Sequence, residues 1–178
     1  MISIIVGTNR KNNLSQYIAK YYKKVLENEF GIECELIELE MMPDDVLSKN
    51  MYDEVHPWID DLIVNKIEKS DKFIFVIPEY NGSFPGVLKL FIDLVTLKDN
   101  GDSLKWKKAA LIGVASGRFG NYLGLDQFAS VLNYLKVNTF AYKLTLPLIN
   151  SVIDKEHNIK DEKVDSSIKR HIGRFLKF

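Results

Sequence analysis

Apolar positions along this chain fall into two alternating rhythms. Residues 2–6, ISIIV, form a nearly unbroken β-branched run, as in a strand buried on both faces of a parallel sheet. From there the spacing changes. Leu14, Ile18, Tyr21, Tyr22, Val25 and Leu26 recur at helical intervals, with Asn12 or Asn13 placed to cap the start and Gly31 to end the helix. ECELIEL, 33–39, alternates as a second strand, and 41–56, with Pro43 inside and Pro57 just beyond, reads as a loop with a helical turn. Ile59, Leu62, Ile63 and Ile67 predict a short amphipathic helix, and KFIFVI, 72–77, a third strand. A helix comes next over 84–98, with Pro85 near its first turn, where a missing N–H does no harm. AALIGVA, 109–115, is a fourth strand, and Tyr122, Leu125, Phe128, Val131, Leu132 and Leu135 carry a helix over 121–136. NTFAYKLTL, 138–146, predicts a fifth strand. Val164, Ile168, Ile172 and Phe175 share one face of a last helix over about 161–176, and 150–160 is the most linker-like stretch.

Strands alternating with helices predict an α/β fold with a parallel sheet and right-handed crossovers. For five strands the leading candidate is a flavodoxin-like three-layer sandwich, order 2-1-3-4-5. Its ligand site lies at the carboxyl ends of strands 1 and 3.

Composition narrows the function classes. The 178 residues, 46% hydrophobic, suit one domain spanning 1–178. Lys plus Arg and Asp plus Glu are both 24, which argues against general affinity for nucleic acid or an anionic membrane. Cys34 is the sole cysteine, excluding a disulfide framework and a cysteine-built metal site within one chain. The opening ISIIV is too short for a signal-peptide core, and no apolar run approaches the roughly 20 residues of a spanning helix. A soluble, cytoplasmic protein is expected.

In a parallel sheet every strand-to-helix loop leaves by the same edge, and three such loops here are rich in polar and turn-forming residues: GTNRKNNLS, PEYNGSFPG and SGRFGNYLG. The first places Gly7, Thr8, Arg10, Asn13 and Ser15 ahead of a helix. Hydroxyls, a guanidinium and backbone N–H groups converge there, which is phosphate-binding chemistry. It is neither a P-loop nor a G-x-G-x-x-G fingerprint. The second loop offers Pro78, Glu79, Tyr80, Asn81, Gly82 and Ser83, in which Asn-Gly favours positive φ and exposes N–H groups to the edge of a planar heterocycle. The third, with Ser116, Gly117 and Arg118, could bracket the other side of the same ligand. Each loop alone also reads as an ordinary turn; their gathering at one edge is the stronger signal.

These residues resemble the NADPH-dependent FMN reductase family. Gly7-Thr8-Asn9-Arg10-Lys11-Asn12-Asn13-Leu14-Ser15 is similar to that family's first-loop pattern, and Pro78 through Asp93 match its Pro-Glu-Tyr-Asn pattern, with Leu90 where Asn is usual. Ser116, Gly117, Gly120 and Asn121 stand at the glycine positions of its third loop. The match runs in order along nearly the whole chain. Asn13 stands where a hydroxyl is usual, and Asn13 and Ser15 look like a near-exchange of the family's Ser and Asn.

The resemblance implies FMN as cofactor and NADPH or NADH as co-substrate. Thr8, Arg10, Asn13, Leu14 and Ser15 would form the phosphate end, Pro78 through Ser83 the isoalloxazine edge, and Ser116, Gly117 and Arg118 its other side. Hydride would pass from the nicotinamide to the flavin and on to a small-molecule acceptor such as a quinone, free flavin, azo or nitro compound. No protein acid or base is needed for hydride transfer, and no metal is expected. His56, His157 and His171 read as surface residues, and Asp44-Asp45 and Asp60-Asp61 as solvated faces. Residues 87–97 are apolar around most of their circumference, and the 121–136 helix adds Tyr122, Leu123 and Tyr134 outside its main stripe; the family commonly forms dimers through these two helices, so the resemblance implies a homodimer or a dimer of dimers. The alternatives are a flavodoxin-type electron carrier and a non-catalytic binding module.

Overall fold

The computed structural model describes residues 1–178. In chain order its elements are β1 (Ile2–Val6), α1 (Leu14–Phe30), β2 (Cys34–Glu38), α2 (Pro57–Leu62), β3 (Lys72–Pro78), α3 (Gly86–Leu97), β4 (Lys108–Val114), α4 (Tyr122–Tyr134), β5 (Asn138–Thr139), β6 (Leu144–Leu146), α5 (Ile149–Val152) and α6 (Glu162–Lys177). The strands pair in parallel in the order β2-β1-β3-β4-β5, with β6 also on β4. This is the predicted order. β1 and β3 are neighbours whose crossovers leave in opposite directions, so the switch point opens above their carboxyl ends.

Successive strand residues face opposite sides, and here both sides are buried. In β3, Phe73, Phe75 and Ile77 enter a core with α2, α3 and α4, while Ile74 and Val76 enter a core with α1 and α6. That explains why FIFVI shows no polar alternation. The polar exception in β1, Ser3, is fully buried and hydrogen-bonds Ser70 at 2.8 Å. Asn13 caps α1 by accepting from the Gln16 N–H, and Gly31 ends it at φ 65°. The helix predicted around Ile59 is present, but after Leu62 it widens to a π-turn over 63–67, in which the Glu68 N–H donates to the Ile63 carbonyl.

Three expectations are corrected. The fifth strand is broken. β5 pairs with the start of β4 and β6 with its end; the Phe140 N–H still donates to the Ala109 carbonyl of β4, and residues 141–143 leave the sheet between them. The Phe140 and Tyr142 rings pack on His171 instead, and the Tyr142 carbonyl bonds His171 Nε2 at 3.0 Å rather than a neighbouring strand. Second, His171 is not a surface residue. It is fully buried, with Nδ1 3.1 Å from the Tyr22 hydroxyl. Its place on the inner face of α6, between Ile168 and Ile172, carried that signal in the sequence. Third, the linker-like stretch contains α5 and a hairpin closed by an Ile153–Ile159 bridge.

The edge away from the switch point is fastened by lysines. Lys72 Nζ donates to the Phe175 and Leu176 carbonyls at the end of α6 (3.0 and 2.8 Å), and Lys107 Nζ to those of Ile67 and Glu68 (2.6 and 3.1 Å). Lys108 reaches the Phe178 carbonyl. These bonds satisfy helix-end acceptors that have no partner within the helix. No helix is long and apolar enough to cross a membrane.

Candidate functional site

The loop after β1 is short because the backbone turns at once. The Gly7 N–H donates to the Val76 carbonyl and the Thr8 N–H to that of Val6, both at 2.9 Å. Thr8 is thereby fully buried at the mouth of β1. Its Oγ1 accepts from the Arg10 N–H at 3.2 Å and lies 2.7 Å from the Tyr80 hydroxyl. Asn13 spans the rest of the loop. Its Nδ2 donates to the Arg10 carbonyl and its Oδ1 accepts from the Gln16 N–H, both at 2.8 Å. The Asn13 amide is thus committed to holding the loop.

The first turn of α1 has donors to spare. The N–H groups of Leu14 and Ser15 form no hydrogen bond, and Ser15 Oγ is buried with no partner. A buried unpaired hydroxyl is disfavoured unless something outside the chain satisfies it. With the partial positive charge of a helix N-terminus, this corner is built for an anion. Arg10 stands exposed beside it.

After β3 the chain makes a two-residue hairpin. Tyr80 and Ser83 exchange both backbone hydrogen bonds (2.9 and 3.0 Å), with Asn81 at φ 51° and Gly82 at φ 72°. These are the angles of a type I′ turn, which Asn-Gly favours. The turn leaves the Asn81 and Gly82 N–H groups unpaired, and a Cβ at Gly82 would meet nothing within 4 Å. Open space therefore lies beside two free donors. Ser83 points away, to Gln127.

The loop after β4 is anchored to the end of β3 by Asn121. Fully buried, its Nδ2 donates to the Ile77 and Pro78 carbonyls (3.1 and 3.0 Å), while its N–H donates to Glu79 Oε2 at 3.2 Å. Its φ of 63° explains why a glycine-like position suits Asn. The loop passes close over β4: a Cβ at Gly113 would sit 2.1 Å from the Gly120 carbonyl oxygen. Ser116, Gly117 and Arg118 are exposed on this loop, and the Gly117 carbonyl accepts from the Leu148 N–H at 3.0 Å.

Together these loops enclose a cavity of about 580 Å³ at the switch point. Of the residues singled out in the sequence, Thr8, Arg10, Asn13, Leu14, Ser15, Pro78, Glu79, Tyr80 and Ser116 line it. Gly82 and Glu79 line a second hollow of about 310 Å³, beside Phe119, Tyr122 and Leu123. Asn81, Ser83, Gly117 and Arg118 line neither. Sequence reasoning missed Ile149 and Asn150, which line the main cavity from the segment after β6. They lie in and beside the stretch read as linker. The two hollows offer an anion corner at α1 and free donors at the hairpin, the two ends of an elongated ligand.

Known proteins share this sequence pattern and this fold. Over 136 residues the chain is 25% identical to a 2-hydroxy-1,4-benzoquinone reductase from Burkholderia sp., covering 76% of this chain and 72% of that one. It is 26% identical to an NAD(P)H-dependent FMN reductase from Schizosaccharomyces pombe, covering 99% and 85%. In structure it resembles FerB, a flavoenzyme NAD(P)H:(acceptor) oxidoreductase from Paracoccus denitrificans, with TM-score 0.84 at 24% identity, covering 99% and 94%; the fold is flavodoxin-like. Residues 1–147 match the family model described as NADPH-dependent FMN reductase, and the chain belongs to that family.

Proposed function

We propose that this chain is an FMN-dependent NAD(P)H oxidoreductase that reduces a small-molecule acceptor such as a quinone, free flavin, azo or nitro compound. One observation carries the reading of the site. Unsatisfied donors stand at two adjoining hollows that share Glu79: Ser15 Oγ and the N–H groups of Leu14 and Ser15 at the main cavity, and the Gly82 N–H at the second, with the Asn81 N–H free on the same turn. Ser15, the first turn of α1, Thr8 and Arg10 would hold the FMN phosphate, with Asn13 and Leu14 shaping that corner. Pro78 through Ser83 would run along the flavin ring, the Asn81 and Gly82 N–H groups donating to its polar edge. Ser116, Gly117 and Arg118 would approach from the β4 side.

When bound, FMN supplies the redox chemistry by accepting hydride and passing electrons on. The protein's work is positioning and exclusion of water. Thr8 and Tyr80 join the two loops that would bear on FMN, and Asn121 fixes the third against the second.

The rest of the reading is one FMN-binding unit over 1–178, in the cytoplasm, as a homodimer or dimer of dimers. Leu123 and Tyr134 on α4, 62% and 86% exposed, support the pairing surface. Leu94 of α3 does not belong to it, since it is 1% exposed within the monomer core.

The test is spectroscopic. Full-length protein dialysed with FMN and washed should retain a flavin absorption band, and NADPH or NADH added without oxygen should bleach it within seconds. Retained flavin that bleaches only over hours would identify an electron carrier. A protein that retains no flavin at micromolar FMN would overturn the reading.

A further inference from the structure

The match to the family model ends at residue 147, and beyond it the chain turns back beside the site. The hairpin 153–159 is closed by the Ile153–Ile159 bridge. It is fastened to α1 by the His157 ring, which lies flat on Tyr17 with centroids 3.8 Å apart and planes within 4°. Lys155, His157 and Lys160 line a hollow of about 470 Å³ there. Leu14 and Asn150 line both this hollow and the main cavity, so the two adjoin across the first turn of α1. The hollow also holds one carboxylate, Asp154, which accepts the Asn158 N–H at 2.8 Å and keeps its charge, so two ammonium groups share the hollow with one carboxylate. Neither Lys155 nor Lys160 forms an ion pair. Two lysines without an ion pair therefore line a hollow that shares Leu14 and Asn150 with the cavity holding a buried, unpartnered hydroxyl, Ser15 Oγ.

We propose that this hairpin is a second, cationic wall of the phosphate corner, in which Lys155 and Lys160 help hold the phosphate of FMN. The proposal rests on the FMN reading above. A phosphate monoester carries between one and two negative charges near neutral pH, while the first loop offers only Arg10 and Lys11 as cations. Lysines are flexible point charges and act over about 8–10 Å at physiological salt. His157 is the clasp that keeps the lysines on the α1 side.

Riboflavin, which has the same ring without the phosphate, separates this from a scaffolding role. Full-length wild type, the Lys155→Ala/Lys160→Ala variant and the Lys155→Arg/Lys160→Arg variant are each dialysed to equilibrium against FMN and, separately, riboflavin, at low and high salt. The alanine variant should lose about tenfold in FMN affinity at low salt. Its riboflavin affinity should not change, and its FMN binding should depend less on salt. The arginine variant should bind FMN like wild type. Unchanged FMN affinity in the alanine variant, or equal weakening of both flavins, overturns the proposal while leaving FMN binding intact. Wild type that binds neither flavin overturns the functional reading and this proposal together.

Discussion

The Tyr80 hydroxyl and Thr8 Oγ1 lie 2.7 Å apart and join the loop after β1 to the loop after β3. Thr8 is fully buried, so Tyr80→Phe removes a partner that water cannot easily replace. Unfolding in urea should show a loss of about 1–2 kcal/mol. FMN affinity should fall with it, because the two loops would no longer be held in register. An unchanged unfolding midpoint would mean that the bond contributes nothing to holding the loops together.

Arg10→Ala removes the exposed guanidinium beside the anion corner. A charge-assisted contact is worth about 1.5–3 kcal/mol, so FMN should bind about ten- to a hundredfold more weakly. Riboflavin should bind as before. Titration of flavin fluorescence against the protein distinguishes the two; equal losses would place Arg10 away from the phosphate.

Gly82→Val should separate folding from binding. At φ 72° a β-branched residue is strained, at about 1–3 kcal/mol, yet its Cβ would meet no protein atom within 4 Å. Helix content by circular dichroism should therefore be normal, and flavin retention and NADPH oxidation should be lost together. A variant that keeps its yellow colour and activity would show that residues 78–86 merely connect two elements.

His171 makes the fold sensitive to acid. Burial pushes its imidazole down to about 4, with the hydrogen bond to the Tyr142 carbonyl working in the opposite direction. An unfolded histidine titrates near 6.5, so between these values the unfolded chain binds the extra proton. Stability should fall as pH drops from about 6.5 to about 4, by about 3 kcal/mol in all. Urea midpoints across that range should flatten in His171→Gln relative to wild type. Parallel slopes would mean that other groups dominate acid unfolding.

Much of the fold was legible because the central strands β1, β3 and β4 are buried on both faces and the long helices chiefly on one, which leaves period and run length as clear signals. FIFVI and the α1 stripe are plain cases. Sequence reasoning failed where a side chain's partner is remote. Nothing local says that His171 meets Tyr22, 149 positions away, or that the Tyr142 carbonyl would leave the sheet for it. At the site, loop composition identified the switch point and Asn-Gly identified the turn. It did not reveal that the Asn13 amide is used up in capping, or that Asn121 is the tether between two loops. Both depend on where the backbone carbonyls lie. Ile149 and Asn150 reach the cavity because β6 runs parallel to β4 and the segment after it leaves by the same edge, the Ile149 N–H donating to the Ala115 carbonyl; that segment lacks the turn-rich composition that marked the other three loops.

The lysine fastenings at the far edge of the sheet divide the molecule's labour. Lys72, Lys107 and Lys108 hold helix ends at one rim, while the loops of the candidate site leave by the other. The two sets of contacts lie at opposite ends of the strands. Diversifying the exposed residues 116–119 while keeping Gly120 and Asn121 would leave both the tether to β3 and the far-rim fastenings in place.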